Sequence, residues 1–160
     1  MALSLSVQFA SNAKHLPSRA QVRRWALAAH GSASDAVVTI RYVDEKEGRA
    51  LNRDFRGKDY ATNVLTFVQE PAVSPFARAT AKTVSSNNYA ADIVICAPVI
   101  AREAREQKKP VANHHGHMVV HGLLHAQGFD HENEADAAAM EAIEIAVLRR
   151  FRIKNPYEVE

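Results

Sequence analysis

Cysteine is almost missing from this sequence: Cys96 is the single example in 160 residues. One thiol cannot form an intrachain disulfide or supply a multi-cysteine zinc site, so any metal must lean on histidine or carboxylate. Inside an apolar stretch, Cys96 reads as a buried thiol. No run of about 18 apolar residues occurs, which excludes a membrane-spanning helix. Met1–Phe9 carries neither a basic leader nor an unbroken apolar run, so no secretory signal is expected. A lone thiol without an export signal points to a reducing cytoplasm. Aromatics make up only 7%, so Ala, Val, Ile and Leu are expected to fill the core. With no internal repeat and no linker, residues 1–160 read as one domain.

A strong charge of one sign is also lacking. The net charge of +2 does not by itself identify a nucleic-acid binder. The basic residues are nonetheless grouped: Arg19, Arg23 and Arg24; Arg49, Arg53, Arg56 and Lys58; Arg102, Arg105, Lys108 and Lys109; Arg149, Arg150, Arg152 and Lys154. Such groups are usually solvated helix faces, and any of them can also meet phosphate.

Periodicity outlines the elements. Residues 3–9 alternate as a half-buried strand, and Pro17 and Ser18 open a helix that Gly31 closes. Residues 36–43 (AVVTIRYV) form a strand too apolar for an exposed edge. Asp44 and Glu47 resemble a capping box opening a short helix, with Leu51 and Phe55 inward and Gly57 as its stop. Strands are expected over 62–68 and 89–96, with a loop over 69–88 between them. Helices follow over 98–108, from Pro110 to about Gln127, and from about Glu132 to Phe151 with Met140, Ile143, Val147 and Phe151 inward. Strands come before most helices. The class is α+β: a small mixed four-stranded sheet packed with about five helices, its metal site on a central helix and the turn after it.

Histidine supplies the chemistry. Of eight histidines, six fall between His114 and His131. His114, His117, His121 and His125 share a helix face. Residues i and i+4 rise about 6 Å and differ by about 40° around the axis, so His121 and His125 can reach one metal. On a continued helix His131 would lie about 15 Å further along, out of reach. Gly128 can take the left-handed conformation that ends a helix and turns the chain back. The pattern H-x-x-x-H-x-x-G-x-x-H is thus two ligands, a turn and a third ligand. Zinc held by three histidines keeps a position open for water, as catalytic sites do.

The neighbouring residues carry weaker readings. His117 sits behind the metal or faces RNA, and His114 and His115 are read as surface residues near the helix start. His15 and His30 carry no signal. Asp130 is a base, an orienter of His131, or the N-cap of the last helix. Where H-E-x-x-H zinc proteases place a glutamate base, this chain has Gly122, which disfavours a peptidase.

His121-Gly-Leu-Leu-His-Ala-Gln-Gly-Phe-Asp-His131 resembles the H-G-x-L-H-x-x-G-x-D-H signature of the YbeY family of bacterial rRNA maturation factors and endoribonucleases. Leu51-Asn-Arg-Asp-Phe-Arg-Gly-Lys-Asp-Tyr-Ala-Thr-Asn-Val-Leu-Thr-Phe67 is similar to a second family motif, and Asp92-Ile-Val-Ile-Cys96 to a third. The resemblance runs from about residue 36 to 157. Ala61 replaces the usual proline, Asn63 the usual aspartate, and Ala91 a frequent glycine. Residues 69–88 match poorly.

The resemblance implies one Zn2+ per chain on His121, His125 and His131, with Arg56 as the functional arginine of the cleft. It implies a metal-dependent endoribonuclease acting on single-stranded RNA in small-subunit (16S) rRNA 3′-end maturation and in ribosome quality control. The implied partners are rRNA, the small subunit, and a ribosomal protein or assembly GTPase. From the residues alone, Arg56 reads equally as a phosphate clamp or a solvated helix-end residue. Lys58 adds a backbone-phosphate contact. The attacking group is water or the ribose 2′-hydroxyl. The alternatives are a ribosome-assembly factor with a structural zinc, and a zinc hydrolase of another substrate class, a peptidase among them.

Overall fold

The alternating segment Leu3–Ala10 forms strand β1, and the apolar run Ala36–Val43 forms β2 in parallel beside it. These assignments come from a computed structural model that describes residues 2–31, 35–69 and 88–158. Parallel neighbours need a crossover, and helix α1 (Arg19–His30) supplies it. Ser18 caps α1 through a reciprocal capping box with Gln21, and Gly31 follows at φ +73°. Helix α2 (Glu45–Arg56) leads to β3 (Val64–Gln69), which pairs antiparallel with β4 (Tyr89–Cys96). Among the described residues the sheet order is β1-β2-β4-β3, with β1, β2 and β4 parallel. Helices α3 (Ala97–Glu106), α4 (Val111–Ala126) and α5 (Glu134–Arg149) complete the α+β fold. The loop expected over 69–88 lies, apart from its two end residues, outside the described ranges.

Alternation along the strands builds two apolar layers. Val38, Ile40 and Tyr42 of β2 join Ile93 and Ile95 of β4 in the larger core, covered by α1, α4 and α5. Val43, Val94 and Cys96 point the other way and pack with Leu65, Val99 and Leu51. Cys96 is buried as expected, and burial pushes its thiol up, so it stays protonated.

Two expectations about α2 fail, each for a traceable reason. Asp44 is the N-cap residue, but its side chain does not cap. It accepts instead from the Ser11 hydroxyl and, at 3.1 Å, from the Asn12 amide. Glu47 is taken by Arg41 in a two-bond pair of 2.7 and 3.0 Å. Both acids thus bind residues from the β1 and β2 side, and such charge-assisted pairs outcompete a capping box. Phe55 is not inward but 66% exposed. It sits at the end of α2 beyond the smaller core, where its ring meets Phe67 edge-on at 5.3 Å.

Helix α4 is buried around nearly its whole circumference, its histidine face included. It contacts α1, α3, α5, β3 and β4. Glycines permit this closeness. A β-carbon on Gly116 would lie 3.0–3.1 Å from Ile153 and Trp25, and one on Gly122 would lie 2.9 Å from Ile93. The glutamate of zinc proteases therefore has no room at position 122.

Candidate metal centre

The central helix ends where its sequence says it should. Gly128 takes φ +98°. Its amide donates to the His125 carbonyl at 3.0 Å, and the Phe129 amide to the Leu124 carbonyl at 3.1 Å. This bond pair is the left-handed stop that glycine favours, and it turns the chain back toward α4.

His131 is thereby returned to the helix it has just left. The ring centroids of His121 and His131 lie 5.8 Å apart, those of His125 and His131 5.0 Å, and those of His121 and His125 4.5 Å. One nitrogen from each ring falls within 4.8 Å of the other two. Nε2 of His121 and Nε2 of His125 lie 3.1 Å apart. Burial first, then the nearby His121 and His131, lowers the His125 pKa, which keeps its ring neutral and its lone pair available. Three imidazoles without sulfur suit zinc chemically, so the residues present fit such an ion.

Behind the triad stands a buried acid. Glu144 of α5 is fully buried. Its Oε1 accepts from His121 Nδ1 at 2.6 Å, and its Oε2 from His117 Nε2 at 2.8 Å and from the Tyr157 hydroxyl. Burial pushes this carboxyl up, but its hydrogen bonds from His117, His121 and Tyr157 outweigh that and hold it down at about 2. An ionised carboxylate only accepts, so Nδ1 of His121 is the donor in this bond. His117, His121 and Glu144 form a second group close enough to hold a metal.

The rest of the stripe departs from the sequence reading. His117 is not RNA-facing, because it is 7% exposed and bound to Glu144. His114 and His115 are buried rather than superficial. His114 bonds Glu103 of α3 at 2.9 Å, and His115 packs against Tyr42 with centroids 5.5 Å apart. His30, which carried no signal, is also buried, with Nδ1 2.5 Å from the Tyr89 hydroxyl. Asp130 does not cap α5. Asn133 does so, accepting from the Asp136 amide at 2.8 Å, while Asp130 accepts from the His131 amide at 2.7 Å. The turn after Gly128 uses the intervening residues before α5 starts, which moves the cap three positions on.

The triad opens on a cleft of about 640 Å³ that also includes Arg56, Lys58, Tyr60, Asn63, Asp130 and Glu132. Arg56 ends α2, just before Gly57 in the left-handed conformation at φ +70°. Its guanidinium bonds the Thr66 carbonyl of edge strand β3 at 2.9 Å and lies 5.7 Å from the centre of the Phe67 ring. A carbonyl and a ring face thus fix one side of the guanidinium beside the cleft. Asn63, where the family motif has aspartate, is tied to Glu103 at 3.1 Å and to the Val64 amide at 2.7 Å. Sequence reasoning missed Glu144, although it falls on the buried register of Met140 and Val147. A carboxylate on that stripe was the available signal. Tyr60 and Tyr157 carried none.

Known proteins resemble this chain along most of its length. The family described as Endoribonuclease YbeY matches residues 7–152. An Endoribonuclease YbeY of Thiobacillus denitrificans is 52% identical over 155 residues, covering 97% of this chain and 96% of its own length. That of Aromatoleum aromaticum is 49% identical over 158 residues, with 97% and 92% covered. The solution structure of TM1509 from Thermotoga maritima shares the fold at a TM-score of 0.50 and 22% identity, over 96% of this chain and 97% of that one. With the family matched over most of its length and relatives of about half identical sequence, this chain belongs to the Endoribonuclease YbeY family.

Proposed function

We propose that this chain is a zinc-dependent, single-strand-specific endoribonuclease of small-subunit (16S) rRNA 3′-end maturation and ribosome quality control. Residues 1–160 act as one cytoplasmic domain, with rRNA, the small subunit, and a ribosomal protein or assembly GTPase as partners. The observation that carries the reading is the meeting of three imidazoles with Arg56 in one cleft. The names of the relatives supply the substrate class, RNA.

His121, His125 and His131 are the residues that hold the metal. Zinc bound there supplies Lewis acidity toward a phosphodiester oxygen. Arg56 clamps the phosphate and offsets the charge that grows on it during cleavage, its direction set by Thr66 and Phe67. Lys58 holds an adjoining backbone phosphate. Tyr60, 54% exposed, lines the same cleft and offers a ring face to an unpaired base. A base can stack there only when it is free of a duplex, which favours single strands.

The test sets wild type beside His121→Ala and Arg56→Ala, measuring zinc content and cleavage of single-stranded ribosomal RNA. The expected result is about one zinc per chain, lost in His121→Ala and kept in Arg56→Ala, with cleavage lost in both. If all three proteins leave RNA intact while only His121→Ala loses zinc and stability, the metal is structural and the chain is an assembly factor.

A further inference from the structure

We infer that Glu144 is a positioning residue for the metal centre: it fixes the proton of His121 on Nδ1 and so presents Nε2 to the ion. The inference rests on the metal reading of the triad given above.

Three observations converge on it. First, Glu144 is fully buried on the apolar register of Met140 and Val147, where an apolar residue would avoid the desolvation of a charge. Its ion-pair partners among the described residues are both histidines. Packing alone gives no reason for a carboxylate at this position. Second, both of its oxygens are engaged. Oε1 takes Nδ1 of His121 at 2.6 Å, while Oε2 takes Nε2 of His117 at 2.8 Å and the Tyr157 hydroxyl. His117 and Tyr157 hold one side of the carboxylate, so the other side is aimed at His121. Third, His121 stands between Glu144 and the other ligands. Its Nδ1 faces the acid, and its Nε2 lies 3.1 Å from Nε2 of His125.

The chemistry follows from the proton. A neutral imidazole has one N–H and one lone pair. An acceptor-only oxygen at Nδ1 selects the tautomer whose lone pair faces the ion, and it increases the basicity of that nitrogen. Without the acceptor, His121 is free to carry its proton on Nε2, which closes the ligand position. Tyr157 acts one step further away. Its amide donates to Asn155 at 2.8 Å, anchoring the C-terminal turn from which its hydroxyl reaches the acid.

The experiment uses the full chain as wild type, Glu144→Leu, Glu144→Gln and Tyr157→Phe. Long-range 1H–15N spectra of the metal-free proteins report the His121 tautomer. Zinc affinity is measured by competition with a chelator, and melting temperature is taken without metal. The expected wild-type tautomer is Nδ1–H. Glu144→Leu is expected to weaken zinc binding about 10- to 100-fold, and to lower the metal-free melting temperature because His117, His121 and Tyr157 lose their buried acceptor. Glu144→Gln and Tyr157→Phe should weaken zinc binding less, in that order. A Glu144 variant that folds and binds zinc within twofold of wild type overturns the inference, as does an Nε2–H tautomer in wild type. If neither Glu144 variant folds, Tyr157→Phe decides by the same twofold criterion. Two zinc ions per wild-type chain, one of them lost with Glu144, would make the acid a ligand in the His117–His121–Glu144 group and also overturn it. A wild type that binds no zinc fails the metal reading itself, which is a different result from a wild type that binds while the variants are unaffected.

Discussion

Gly122 and Ile93 are in such close contact that a β-carbon on the glycine would lie 2.9 Å from Cγ2 of the isoleucine. The approach joins α4 to the interior strand β4 and so sets the depth of the whole histidine stripe. Ile93 is fully buried and its Cδ1 would lie 3.2 Å from the same β-carbon, so it has little room to give. Gly122→Ala is therefore expected to destabilise the fold by about 1–3 kcal/mol through overpacking. Urea denaturation would check this, with Ile93→Ala and the double variant completing the cycle. The two changes should cost less together than the sum of their separate costs. Simple additivity would show that the contact is slack.

Metal removal provides a second expectation. The His131 side chain is 57% exposed, and among the described residues it meets the adjacent Asp130 and the other two rings. His131→Ala should therefore leave the melting temperature of the metal-free chain within a degree or two, as surface substitutions commonly do. It should also abolish the stabilisation that zinc confers on wild type, about 2.7 kcal/mol at a free concentration 100 times Kd. Thermal melts with and without chelator measure both. A wild-type chain that unfolds on chelation would instead give the metal a structural role.

What could be read in the sequence was what is local. β2 and β4 match the expected boundaries because a β-branched run sits between breakers at both. The triad was legible because His121, His125, Gly128 and His131 lie within three turns of chain. Glu144 and Tyr157 were missed because they reach His121 and His117 from 23 and 40 residues away. No local spacing encodes such contacts. The same holds for Asp44, whose capping pattern gave way to Ser11, 33 residues earlier. Local rules brought the three histidines together, and tertiary contacts decided the residues behind them.

His115 makes stability depend on pH. Burial, with a smaller contribution from His114, pushes its pKa down to about 4, against 6.5 for the free side chain. The unfolded chain therefore binds this proton more readily than the folded one. Stability falls as pH drops from about 6.5 to 4, by about 3 kcal/mol for a shift of this size. Glu144 acts in a lower window. Its folded pKa lies below its ordinary 4.5, so its contribution is present above that value and lost as pH falls toward 2. Urea midpoints across pH 7 to 4 should slope downward in wild type and less steeply in His115→Gln, with His114 and His125, also lowered by burial, keeping part of the slope. An unchanged slope in the variant would assign the dependence to another group.

On the proposed reading, the cleft residues Tyr60 and Lys58 divide RNA binding into two parts that salt separates. Tyr60 is half-exposed and contributes a ring face, so Tyr60→Ala should weaken single-stranded RNA binding by about 1–3 kcal/mol at any salt concentration. Lys58, in the role proposed for it, contributes one phosphate contact. Lys58→Ala should reduce the slope of log affinity against log salt by about 0.7 and have its largest effect at low salt. Filter binding of an uncleavable RNA strand across a salt series measures both. Neither variant should change zinc content, because neither side chain belongs to the triad. If Tyr60→Ala instead changes the salt slope and leaves affinity at high salt intact, the ring does not stack, and the cleft holds RNA by its phosphates alone.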